Sequence, residues 1–197
     1  MATCEIIRGS SYPVSSWSGG ETTQVFILPR DAVYAERSFQ LRISSATVTL
    51  DSSDFTPLPG FQRHIMPLEG EMRLEHEGHH TVTLKPYQSD FFEGSWKTKS
   101  YGRCVDFNLM HTPSWTGGIK AAQGGVVDCA GEYTGFYARE DLEVTVRTGG
   151  EIILYDKLAK GDFLMVHCDC PGEEPQAELT GESGAVLAVV TAVDRRA

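Results

Sequence analysis

The chain has 197 residues, of which 41% are hydrophobic, 10% aromatic and 22% charged. That balance belongs to a globular protein and excludes a disordered or collagen-like one. Seventeen Lys and Arg stand against 27 Asp and Glu, a net charge of −10, so nucleic acid, which basic footprints hold, is not expected as a partner.

In chain order, the first strong strand signal is residues 39–50, rich in β-branched and apolar side chains and closed by the turn cluster Asp51-Ser52-Ser53-Asp54. Residues 71–76 alternate strictly, with Met72, Leu74 and His76 on one face and Glu71, Arg73 and Glu75 on the other. Glu77-Gly78 turns the chain and residues 80–84 return it, which reads as a hairpin. Residues 103–110 form the next strand candidate, followed by 142–147, 151–155, 162–168 and 185–193. No window of 11 residues or more carries a helical stripe. Short strands with turns between them predict an all-β sandwich or barrel.

A shift of 72 residues aligns Glu71 with Glu143, Met72 with Val144, Leu74 with Val146, Gly78 with Gly150, Val82 with Leu154 and Asp90-Phe91 with Asp162-Phe163. This weak repeat suggests two similar β-barrels joined by residues 112–126, with one larger sandwich as the alternative. Five cysteines at 4, 104, 129, 168 and 170 are odd in number and irregular in spacing. With no secretory leader pattern at the start, reduced thiols and a cytoplasmic location are expected. Cys168 and Cys170 are too close for an easy disulfide and do not complete a zinc site alone. No apolar run reaches the roughly 20 residues of a membrane span.

Four stretches occur in a recognisable order: Trp17-Ser18-Gly19-Gly20-Glu21-Thr22-Thr23, Leu41-Arg42-Ile43-Ser44-Ser45-Ala46, Phe55-Thr56-Pro57-Leu58-Pro59-Gly60-Phe61-Gln62-Arg63 and Asp106-Phe107-Asn108-Leu109-Met110. Together they resemble the HutD/Ves family of cupin-like proteins over residues 14–112, and more loosely beyond. The resemblance implies a bicupin, two jelly-roll barrels in one chain. It assigns 1–112 to the first barrel, with the better pocket, and 113–197 to the second, with terminal strands able to cross. It also implies a bacterial cytoplasmic protein of a family linked in some members to the regulation of histidine utilisation, and it brings no established catalytic activity. Many members carry an Asn and a third Gly after the Trp; here Ser18, Gly19, Gly20 and Glu21 stand there.

A cupin barrel opens at one end, and alternate strand residues point into it. Arg42 and Ser44 share a strand face with Ala46. Either they line the pocket, the Arg offering a fork of donors to a carboxylate, or Leu41 and Ile43 point in and Arg42 lies outside. Arg63, after the rigid Pro57-Leu58-Pro59-Gly60 turn, is either a ligand clamp or a loop cap. Asp106 and Asn108 either orient a ligand or pair with Arg42 or Arg63 in a structural network, since a buried Asp needs a partner. Trp17 either walls the pocket or plugs the barrel end. Residues 1–112 carry 10 basic and 13 acidic groups and residues 113–197 carry 7 and 14, which favours an anion site in the first part.

The six histidines, at 64, 76, 79, 80, 111 and 167, form no His-X-His pair. His76, His79 and His80 are expected at a solvated hairpin tip, open to adventitious nickel or zinc but not a built catalytic site. No metal or other cofactor is expected, and no nucleophile or phosphate-binding motif is present. The expectation is therefore a metal-free binder of a small anionic metabolite, a carboxylate for instance, acting as a sensor or regulator. Its expected ligand-binding residues are Arg42, Ser44, Arg63, Asp106, Asn108 and Trp17. The alternative is a metal-dependent cupin enzyme, an oxygenase or isomerase. Membrane is not expected as a partner; a homodimer through paired sheet edges is compatible with the pattern, which does not fix the oligomeric state.

Overall fold

The computed structural model describes residues 1–169 and 174–196. It is all-β, with only the three-residue 3-10 turns Gly9–Ser11 and Tyr34–Glu36 as helix among the described residues. The strands in chain order are β1 (Thr3–Ile7), β2 (Val14–Trp17), β3 (Gly20–Leu28), β4 (Leu41–Val48), β5 (Ser52–Asp54), β6 (Gln62–Glu69), β7 (Met72–His76), β8 (Thr81–Leu84), β9 (Asp90–Glu93), β10 (Thr98–Tyr101) and β11 (Cys104–His111). There follow β12 (Trp115–Ala122), β13 (Gly125–Asp128), β14 (Tyr133–Ala138), β15 (Leu142–Thr148), β16 (Glu151–Leu158), β17 (Phe163–His167), β18 (Gln176–Thr180) and β19 (Ala188–Arg195). No helix among the described residues is long and apolar enough to cross a membrane.

Two compact units result, one of residues 13–115 and one of residues 1–12 with 116–197. In the first, a six-stranded sheet has the order β2-β3-β4-β11-β6-β9 and a four-stranded sheet the order β5-β10-β7-β8. Their pairings are antiparallel. Between the sheets, Val48, Ile65, Phe92 and Cys104 of the larger meet Met72, Leu74 and Leu84 of the smaller. The expected alternation on β7 is present: Met72, Leu74 and His76 are buried while Arg73 is exposed. Each such apolar side chain, taken fully from water, stabilises the fold by about 1.5–3 kcal/mol. A second cluster of Ile27, Phe39, Leu58, Phe61 and Met110 closes one end, with Phe39 and Phe61 stacked at 4.4 Å.

The other unit has a five-stranded sheet β1-β17-β14-β19-β12 and a four-stranded sheet β13-β18-β15-β16. Phe136, Leu164, Val166 and Val190 of the first pack against Val144, Val146, Ala177 and Leu179 of the second. The N-terminal strand belongs here, β1 pairing with β17 from Thr3↔His167 to Ile7↔Phe163. The turn into β17 is tied by Asp162, which accepts from Arg8 Nη1 (2.8 Å), Gly9 N (2.8 Å) and Ala159 N (3.1 Å). Adding eight to each strand number of β5-β10-β7-β8 yields β13-β18-β15-β16, and of β4-β11-β6-β9 yields β12-β19-β14-β17.

Three sequence expectations need correction or limits. Residues 112–126 are not a plain link, for they contain β12 and the start of β13. Pairing with β19, and burial of Trp115, Ile119 and Ala122, make a strand of a segment whose glycines suggested a linker. The hairpin histidines are not all solvated, as described below. Cys170 lies outside the described residues. Burial pushes the thiol of Cys4 up to about 11 and those of Cys104 and Cys129 to about 12, which makes them unreactive at neutral pH.

Candidate functional site

The site follows from register on one face of the six-stranded sheet. Arg42 on β4 stands opposite Met110 on β11, Met110 opposite Arg63 on β6, and Arg63 opposite Phe92 on β9. One step along, Gln24, Ser44 and Asn108 form a second row; a further step gives Thr22, Ala46 and Asp106. Side chains alternate along a strand with period two, so all of these share one face. The two arginines are thus two strands apart with one methionine between them.

That face lines a cavity of about 330 Å³. Trp17, Arg42, Ser44, Arg63, Asp106 and Asn108 all line it, together with Tyr34, Phe55 and Thr22. The structure therefore brings together all six residues singled out from sequence. Arg42, Ser44, Arg63, Asp106 and Asn108 are buried, whereas Trp17 lines the cavity while 40% exposed. The choice between faces of β4 dissolves, because Leu41 and Ile43 are also buried. Both faces are covered, and the polar one faces the cavity.

Arg42 donates from Nε to Gln24 Oε1 (3.1 Å) and from Nη1 to Ser44 Oγ (3.0 Å), and its guanidinium lies 4.2 Å from the Tyr34 ring centre. Arg63 donates from Nη2 to Asn108 Oδ1 at 3.3 Å and lies 4.7 and 5.1 Å from the rings of Phe55 and Phe92. Its buried Nε finds no acceptor. Asn108 in turn donates from Nδ2 to Asp106 Oδ1. Arg63, Asn108 and Asp106 thus form a relay: the structural network is present, and its members also line the cavity.

Electrostatically the site is strained toward positive charge. Burial pulls the Arg63 guanidinium down to about 10, with Tyr34 and Asp106 opposing and Arg42 adding to the fall; it remains a cation at neutral pH. Burial likewise lowers Arg42, against the pull of Tyr34. Burial raises the Asp106 carboxyl to about 7, although Arg63, the Asn108 amide and the Ala46 backbone hold it down. Near neutral pH, two buried cations therefore face one carboxyl that burial drives toward its protonated form. Aromatic faces compensate only part of that charge, about 0.5–2 kcal/mol per contact.

The Trp17 loop frames the mouth by glycine. At Gly20, φ is +148°, and a Cβ would stand 1.8 Å from the Thr47 carbonyl oxygen. At Gly19 a Cβ would strike the Trp17 ring at 2.1 Å. The departure from the usual loop residues thus leaves its glycine-dependent shape intact.

Sequence reasoning missed Tyr34, Gln24, Phe55 and Phe92. Gln24 and Phe92 enter by cross-strand register and Tyr34 from a 3-10 turn; none carries a local signal. His64, next to Arg63, faces the other way, toward Phe91 (4.9 Å) and His111 (5.5 Å). Burial and the His111 ring pull it down to about 4.

Antiparallel sheets around a polar cavity define a cupin-like fold, and the solved structures of similar shape agree. A conserved protein of unknown function from Pseudomonas aeruginosa PAO1, PA5104, superposes with a TM-score of 0.81 at 25% identity, over 98% of this chain and 99% of that one. HutD from Pseudomonas fluorescens SBW25 gives 0.75 at 23% identity, over 99% and 100%. An oxalate decarboxylase variant from Bacillus subtilis gives 0.63 at 7% identity, over 97% and 77%, a likeness of fold alone. The HutD family model matches residues 9–185, and the chain belongs to the HutD family.

Proposed function

We propose that this chain binds a small carboxylate in the Arg42–Arg63 cavity and acts as a cytoplasmic sensor or regulator of amino-acid catabolism, histidine use in particular. The observation that carries the reading is the uncompensated charge: Arg63 is 7% exposed, makes one long hydrogen bond and leaves Nε unsatisfied. A buried guanidinium in that state is costly, and a carboxylate that accepts from it removes the cost. Arg42 and Ser44 supply further donors from the same face, and Asn108 adds an amide. A volume of about 330 Å³ lies at the small end of ligand pockets, which run from roughly 300 to 1,000 Å³.

The reading includes two jelly-roll barrels, the first holding the ligand, and the eight-strand shift in sheet order supports it. A metal-dependent oxygenase or isomerase needs ligand side chains in the cavity; the lining offers Asp54 and Asp106 and no histidine. Thermal-shift screening with a panel of small carboxylic acids tests the proposal. An acid is expected to raise the melting temperature of wild type and to lose that effect in Arg42→Ala and Arg63→Ala. If no acid shifts the melt, or both variants shift as wild type does, the proposal fails.

A further inference from the structure

The hairpin turn between β7 and β8 gathers a second polar group, outside the cavity lining. His76 ends β7 and is 2% exposed. Its Nδ1 lies 2.8 Å from Thr98 Oγ1 and its Nε2 3.0 Å from Asp90 Oδ2. His80 reaches back from the turn, its Nε2 3.1 Å from the same oxygen and 3.2 Å from Oδ1. The ligand atoms of the three residues all lie within 4.8 Å of one another. The geometry points to a binding site for a zinc-class divalent cation, held by His76 Nε2, His80 Nε2 and an Asp90 carboxylate oxygen, with solvent as the fourth ligand.

Three features support this site. Tetrahedral zinc with bonds of about 2.0–2.2 Å sets its ligand atoms roughly 3.3 Å apart. The two nitrogen–oxygen separations, 3.0 and 3.1 Å, already approach that spacing. The second feature is the tautomer of His76. The Thr98 hydroxyl oxygen lies 2.8 Å from His76 Nδ1 and can accept Nδ1–H when Nε2 takes a cation. In that tautomer the Nε2 lone pair is free to share a cation with the Asp90 carboxylate, in place of the Nε2–H···Oδ2 bond that the metal-free site can make at 3.0 Å. A ring N–H donated outward to a hydroxyl or carbonyl is also the usual support of a metal-bound histidine. Third, the surroundings suit a bound ion. Phe92 and Trp96 flank His76 at 4.6 and 5.6 Å, which gives the site an apolar wall. The His80 side chain is 38% exposed and that of Asp90 16%, which leaves an entry path. Two imidazoles and one carboxylate form a donor set that zinc accepts.

His79 is the internal contrast. It stacks on Trp96 at 3.8 Å with the rings 11° apart and supplies no ligand. The site would tie the β7–β8 turn to the start of β9.

Calorimetric titration of the full chain, freed of metal by chelator, with zinc chloride tests the inference. Wild type is expected to take up one equivalent, with a rise in melting temperature and a change in Trp96 fluorescence. His80→Ala and Asp90→Asn should each bind at least about tenfold more weakly, and Thr98→Val more weakly than wild type through loss of its supporting hydrogen bond. His79→Ala and His64→Ala should bind as wild type. His80 is half-exposed, so the melting temperature of metal-free His80→Ala should match that of wild type and separate lost binding from lost fold. Absence of one-equivalent binding in wild type overturns the assignment. So does binding by His80→Ala and Asp90→Asn as tight as that of wild type.

Discussion

Replacing Asp106 by asparagine tests the electrostatics of the cavity without a ligand. The carboxyl is 3% exposed, and burial lifts it to about 7 against an ordinary 3.8. A raised carboxyl pKa means that the folded state holds its proton more tightly than the unfolded chain does. The contribution to stability is therefore fully present below about pH 4 and declines as pH rises toward 7, above which it is constant. At about 1.4 kcal/mol per pKa unit, the decline between pH 5 and pH 8 is about 2–3 kcal/mol. The substituted amide keeps an acceptor for Asn108 but has nothing to titrate. In urea, where slopes are about 1–3 kcal/mol per molar, the midpoint of wild type relative to Asp106→Asn should fall by about 1 M or more across that range. Taking the difference cancels every group that titrates alike in the two proteins, among them Glu75, Glu143 and Asp162, whose lowered values act in the opposite sense. A difference in midpoint that is flat with pH, or that rises, refutes the account of the buried charges.

The remaining predictions concern the ligand, the loop and the second unit. Affinity for a carboxylate should fall between about pH 6 and 8, because ionised Asp106 competes for Arg63, and Asp106→Asn should abolish that dependence; calorimetry at both ends checks it. Gly19→Ala should move Trp17, seen as a fluorescence shift, with a small change in melting temperature because the displaced ring is exposed. Gly20→Ala should destabilise strongly, since its Cβ meets the Thr47 carbonyl backbone. Asp162→Asn should cost about 1.5–3 kcal/mol by denaturant titration, the range for hydrogen bonds to a charged group. Burial raises the Asp162 carboxyl, but the bonds from Arg8, Gly9 and Ala159 outweigh it and hold the group below its ordinary value. That stability is present at neutral pH and is lost as pH falls through the folded-state value.

Much of the strand pattern is legible in the sequence, because alternation is local. Residues 71–76 show it plainly, and Met72, Leu74 and His76 are buried as their spacing implies. Residues 39–50 show a strand but not which face is inside, since Leu41, Arg42, Ile43 and Ser44 are all buried and period two says nothing when both faces are covered. The polar row on β4 and β11 was visible as unusual residues in apolar strands. What completes it was not: Gln24 and Phe92 arrive by pairings between strands distant in sequence. The histidine turn shows the same limit. Its residues read as a solvated tip, and only the folding of β9 against β6 brings Asp90 over His76. Residues 112–126 misled because they are glycine-rich and carry no period-two alternation, so that only the pairing of β12 with β19 makes them a strand.

The central claim is that Arg42 and Arg63 hold a negative charge. The most direct measurement is the affinity, by calorimetry at about pH 6, where Asp106 is mostly protonated, of the acid that most raises the melting temperature, set against that of its own carboxamide. The two differ in charge and scarcely in shape. A charged hydrogen bond is worth about 1.5–3 kcal/mol, so the amide should bind at least about tenfold more weakly than the acid in wild type, with the gap reduced in Arg63→Ala, where Arg42 alone remains. Equal affinity of acid and amide for wild type would contradict the claim.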